Sequence, residues 1–112
     1  MHIYHITNQS DWEAALTMGQ YTAASLLTEG FIHASTREQV VDTANRYYHG
    51  QYSLVLLVID PEKVVPEVRY EPVELRGQTV HFPHIYGPLN LEAVESVVAF
   101  PPGEDGTFAF PE

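Results

Sequence analysis

A chain of 112 residues suits a single domain, and 45% hydrophobic against 18% charged residues is an ordinary globular balance that can bury a real core. The absence of Cys excludes disulfides, thiolate catalysis and Cys-based zinc sites, and it fits a reducing compartment. A formal net charge of -10 disfavours nucleic acid as a partner, because that affinity rests on neutralised phosphates; a small phosphate-bearing ligand stays open, since Arg37, Arg46, Lys63, Arg69 and Arg76 can converge in space.

In chain order, His2–Ile6 reads as a first strand, with Ile3 and His5 on one face and Tyr4 and Ile6 on the other. Thr7–Ser10 turns, and Ser10 with Glu13 matches a capping box for a helix over Asp11–Met18 that carries Trp12, Ala15 and Leu16 on one face. Gln20–Ala24 reads as a short extended piece with Tyr21 and Ala23 inward, Ser25–Gly30 as a loop, and Phe31–Ala34 as a second short strand. Ser35 and Glu38 form the next capping-box candidate, opening a helix over about Thr36–His49 with Val40, Val41, Ala44, Tyr47 and Tyr48 at helical spacing.

Tyr52–Ile59 is the strongest strand signal, aliphatic enough to be central. Pro66 confines Val64–Tyr70 to an edge, Glu71–Gly77 has turn character at both ends, and Thr79–Phe82 reads as a brief strand. Pro83–Pro88 reads as a loop stiffened by its prolines. Leu91–Phe100 is taken as a strand, Pro101–Gly106 as a turn, and Phe108–Phe110 as a last short strand. Two helices in the N-terminal half followed by strands make an α+β domain over residues 1–112 with a mostly antiparallel or mixed sheet. The opening MHIYHITNQSDW has no basic n-region and Leu54–Ile59 is too short to cross a bilayer, so the expectation is a cytoplasmic protein without a signal peptide or membrane contact.

The chemistry-bearing candidates are histidines held in apolar runs: His5 in IYHI, His33 in GFIHAS and His84 in FPHIYGP. An unpartnered buried imidazole is costly, so each is either a pocket residue or a core histidine bonded to the main chain. His33 and Ser35 share a strand face with Phe31, and Ser35 stands where a helix begins; an imidazole, a hydroxyl and free backbone N–H groups together suit a small anion. Arg46 serves either a ligand phosphate or an acidic neighbour, and Arg69, Tyr70 and Glu71 form a polar group beside the edge segment. Tyr86 and Asn90 crowd the stiffened loop with His84, a good recognition surface. No HExxH or tight histidine–carboxylate pattern appears, so no metal is expected, and neither a GxSxG elbow nor a Gly-rich phosphate loop is present.

At these residues the sequence resembles a bacterial family, the domain of unknown function numbered 952. IYHI at 3–6, GFIHAS at 30–35, ANRYY at 44–48, LVLLVID at 54–60, VRYEP at 68–72 and FPHIYGPLN at 82–90 carry the likeness over almost the whole chain. The resemblance implies an ADP-ribosyltransferase-like fold, a small split mixed β-sheet with flanking helices and an NAD-binding cleft. It puts His5 at the ribose-contacting position of the first strand, with His33 and Ser35 in the pocket strand. The acidic residue that such transferases carry at a later strand falls on His84-Ile85-Tyr86, where no carboxylate stands. The expected function is binding of NAD, ADP-ribose or a related nucleotide, with transfer or cleavage at the anomeric carbon. In it His5, His33 and His84 are the catalytic candidates, Tyr21 or Tyr86 stacks on a base, and His33, Ser35 and Arg46 hold phosphate. The rival is a noncatalytic metabolite-binding or interaction module.

Overall fold

The computed structural model describes residues 1–111. The order is β1 (Ile3–Asn8), α1 (Gln9–Met18), β2 (Gln20–Tyr21), α2 (Ser25–Thr28), β3 (Ile32–His33), β4 (Ser35–Thr36), α3 (Arg37–Tyr47), β5 (Leu54–Ile59), β6 (Glu67–Leu75), β7 (Gln78–Tyr86), β8 (Leu89–Asn90) and β9 (Val94–Ala99). The domain is α+β. Its strands fall into three groups, β4-β1-β5-β9, β2-β8 and β3-β7-β6. Every pairing among the described residues is antiparallel, which is the first of the two alternatives read from the sequence, so the mixed sheet implied by the resemblance gives way to antiparallel sheets, and the strand over 54–59 is interior as its composition demands.

The helix boundaries are set by caps two residues and one residue away from those the sequence suggests. Asn8, not Ser10, caps α1: its Oδ1 accepts from the Asp11 N–H at 2.7 Å and from the Ser10 hydroxyl at 2.8 Å. Trp12 and Ala15 are buried, but Leu16 points to solvent. At α3 the cap is Thr36, not Ser35: the Gln39 side chain accepts from the Thr36 N–H at 3.0 Å and donates to the His81 carbonyl at 2.8 Å. The carboxamide can do both, which Glu38 could not, and it ties the helix start to β7. Ser25–Gly30 is not plain loop, because α2 occupies its first residues.

The larger difference is one long hairpin. An edge segment, a turn, a brief strand and a proline loop are expected over 64–88; instead β6 and β7 pair from Glu67↔Tyr86 to Leu75↔Gln78. Arg76 and Gly77 close it with φ of 51° and 77°, a two-residue turn with both central residues left-handed. Pro72 faces His81 and Pro83 faces Tyr70, two rungs apart on one ladder, where a residue need not donate across to its partner. The Pro83 carbonyl is used on the other side, accepting from the Ala34 N–H at 3.0 Å. The expected strand over 91–100 begins with a 3-10 turn at Leu91–Ala93 before β9. Phe108–Phe110 forms no strand.

Those last residues form a strap across α3. The Phe108 N–H donates to Asn45 Oδ1 at 2.7 Å, the Gly50 N–H donates to the Gly106 carbonyl at 2.9 Å, and Arg37 lies 3.9 Å over the Phe110 ring. The sheet built on β1 and β5 is thereby covered on both faces. Ile3, Val55, Leu57 and Ile59 pack with Trp12, Ile32 and Ile85, while Tyr4, Ile6, Leu54 and Leu56 pack with Val40, Ala44, Phe100 and Phe108. Burial on both sides explains why LVLLVI is apolar without alternation. No helix among the described residues is long and apolar enough to cross a membrane.

Candidate functional site

A cleft of about 640 Å³ opens between β1, the β3–β4 segment, α3 and the hairpin. His5, Tyr21, His33, Ser35, Arg46 and His84 all line it; Tyr86 does not. Segments distant in sequence meet because β1 pairs with β4 on one side, and β3 pairs with β7 so that His33 and His84 are opposite each other.

His5 forms part of the wall with both ring nitrogens engaged. Nδ1 donates to the His33 carbonyl at 2.5 Å, and Nε2 lies 2.8 Å from the Tyr21 hydroxyl, which in turn lies 3.0 Å from the Thr7 hydroxyl. A carbonyl only accepts, so Nδ1 carries the proton. Burial, opposed by the bond to the His33 carbonyl, lowers the His5 pKa to about 4, so Nε2 is an acceptor at neutral pH and takes the Tyr21 proton. Burial pushes Tyr21 up to about 12, against the Thr7 bond, so it stays protonated. This arrangement leaves His5 no free nitrogen for a ribose hydroxyl, and it occupies Tyr21 as well.

His33 is exposed and bonded through Nε2 to Glu29 at 3.0 Å. Ser35 is buried, its Oγ 3.3 Å from the Thr43 hydroxyl. Because Thr36 is the cap, the anion corner expected from His33, Ser35 and a helix start does not assemble as such. Arg46 reaches the cleft from the last turn of α3 and binds Asp42 at 2.9 Å, the acidic-neighbour alternative.

His84 stands differently. It is 5% exposed, it stacks on Phe31 with ring centres 4.0 Å apart at 18°, and its Nδ1 lies 2.8 Å from Glu71 Oε1. The Tyr86 hydroxyl donates to the same oxygen at 2.5 Å, and Arg69, bound to Glu67, lies over the Tyr86 ring. The Tyr86 and His84 bonds hold the Glu71 carboxyl below its ordinary range, while the same contact raises the Tyr86 phenol. Glu71 is thus a residue that the sequence places in a polar group beside the edge segment and does not assign to the site. Its signal is the period of two along β6, which puts Glu71 on the face of Val73 and Leu75, both in the cleft wall. That signal is readable only once 67–75 is known to be one strand. No cluster of His, Asp and Glu suited to a metal ion occurs among the described residues.

A family model described as "Protein of unknown function (DUF952)" matches residues 6–97. A crystal structure of protein CC0527 from Caulobacter crescentus is 34% identical, covers 97% of this chain and 94% of its own, and superposes with a TM-score of 0.86. The solution structure of the same protein covers 95% of this chain and 90% of its own with a TM-score of 0.79. No curated protein matches the chain.

Proposed function

The chain belongs to the DUF952 family, and on that premise we propose that its cleft binds NAD, ADP-ribose or a related nucleotide and acts at the anomeric carbon of the ribose, by glycosyl transfer or cleavage. The observation that carries this reading is the gathering of His33, His84 and Arg46 around one opening of about 640 Å³. That is the size range of small-molecule sites. Tyr47, exposed at the cleft, is the surface for a planar base, and Arg46 is the cleft cation for a phosphate oxygen, exchanging Asp42 for the ligand. His33 and His84 face ribose hydroxyls, and Glu71 stands behind His84 as its carboxylate partner. The finer fold reading, an ADP-ribosyltransferase-like architecture with the split sheet flanking its cleft, belongs to the same proposal, as does work in the cytoplasm, which the absence of Cys fits.

A second reading has its own support. With a net charge of -10, and Asp11 and Glu29 in the cleft lining, a diphosphate meets repulsion, which favours a noncatalytic module for a neutral or cationic metabolite. Thermal melts with NAD, ADP-ribose and mononucleotides separate the two. The nucleotide reading expects a rise in Tm at millimolar ligand that Arg46→Ala and His33→Ala abolish without lowering the ligand-free Tm by more than about 4 °C. No rise with any of these ligands overturns it.

A further inference from the structure

Resting on the reading of the cleft as a nucleotide site, we propose that His84 is the general base of a hydrolysis there, its Nε2 taking a proton from the water that attacks the anomeric carbon, with Glu71 as its positioning residue. The Glu71 carboxylate only accepts, so the 2.8 Å contact puts the His84 proton on Nδ1 and the lone pair on Nε2. Nε2 has no bonding partner among the described residues, yet no buried side-chain nitrogen or oxygen among them lacks one. That nitrogen is therefore not sealed, and His84 lines the open volume of the cleft. Phe31 stacked on the ring, and Tyr86 bonded to the same carboxylate oxygen, keep it from turning. A base with one nitrogen fixed by a carboxylate and the other free toward a ligand space is the arrangement that activates nucleophiles.

Among the remaining histidines, His33 also pairs one nitrogen with a carboxylate at the cleft, but its ring is exposed where that of His84 is buried and stacked; His5 has both nitrogens occupied, His2 pairs with Glu95, and His49 and His81 do not line the cleft. The acceptor is water because the aliphatic hydroxyls of the cleft are engaged: Ser25 with the Phe31 carbonyl, Ser35 with Thr43, and Thr7 with Tyr21. With NAD, the bond between the anomeric carbon and the nicotinamide nitrogen breaks with both electrons going to nitrogen, which becomes neutral. Water oxygen bonds the carbon, one proton passes to Nε2 and on to solvent, and the products are ADP-ribose, nicotinamide and one proton.

The groups facing His84 are Glu71 and Arg69 from β6, His33 from β3 with Glu29 behind it, and Tyr86 from its own strand. The test measures nicotinamide release from NAD chromatographically across pH, beside NAD affinity by calorimetry. His84→Gln is expected to lower kcat about 100-fold or more and to remove the rising acidic limb of the pH profile, with Kd within roughly threefold. Glu71→Gln, which keeps a hydrogen bond to the ring, is expected to lower kcat about tenfold with Kd unchanged and to shift that limb. Protein that binds NAD but releases no nicotinamide, or a His84→Gln variant with an unchanged profile, overturns the assignment. If neither NAD nor ADP-ribose binds, the nucleotide reading fails instead, and the base is then read by diethyl pyrocarbonate with peptide mapping. Modification of His84 ahead of His5, slowed about tenfold in Glu71→Gln, supports the free Nε2, and an unmodified His84 overturns it.

Discussion

A buried imidazole with two partners is a structural joint, and His5 is one. Its loss in His5→Ala unseats the His33 carbonyl and the Tyr21 phenol together, and we expect about 2–4 kcal/mol of destabilisation by urea denaturation. A cost below about 0.5 kcal/mol means that the two bonds are not made. The pH dependence follows from its depressed pKa. The native ring stays neutral down to about 4, while the unfolded ring takes a proton below 6.5. Its contribution is therefore complete above 6.5, falls as pH drops from 6.5 to 4, and amounts to at most about 3 kcal/mol. The difference in stability between wild type and His5→Gln over that window isolates it; a difference that is flat with pH contradicts the buried neutral ring. Because the joint anchors the main chain of His33, an alanine at position 5 disturbs the cleft by geometry alone, and lost activity there is no sign of a catalytic role.

At the scale of elements, turn chemistry decides the hairpin. Arg76 has φ of 51° in a turn whose first central position favours Asn, so Arg76→Asn is expected to stabilise by about 0.5 kcal/mol, read as a raised urea midpoint at constant slope. Asn8→Ala removes the cap of α1 and is expected to cost about 1 kcal/mol in the same measurement. The interior strand, both long helices and the residues around the cleft are legible from local pattern. LVLLVI has no competing reading, and His5, His33 and His84 interrupt apolar runs where polarity must be partnered. The hairpin is not legible, because Pro72 and Pro83 signal strand breaks and only the register, which depends on the partner strand, shows that neither proline needs to donate across the ladder. Glu71 is hidden for the same reason, since its face is defined by a strand that the prolines conceal. The shifts from Ser35 to Thr36 and from Ser10 to Asn8 are choices among neighbouring oxygen-bearing side chains that local sequence does not separate.

Across the whole molecule, two apolar clusters share one sheet, and the strap closes the second of them. Phe108 is 5% exposed, packs against Phe100 with ring centres 5.0 Å apart and is held by Asn45, so Phe108→Ala is expected to cost about 3–5 kcal/mol and to unfold the domain in a single transition. A separate early loss of the segment alone would show that it is not integral to the fold. The unequal cover of the two sheets has a further outcome in time. Strands β1 and β5 are sealed on both faces, whereas β6 is an edge strand with Tyr70, Pro72 and Glu74 in solvent. Backbone amides of the former should trade hydrogen for deuterium only through global unfolding, and those toward the Arg76–Gly77 tip through far cheaper local openings. The wall bearing Val73, Leu75 and Phe82 can then breathe while the floor bearing His5 stays fixed, which gives the cleft one pliable side.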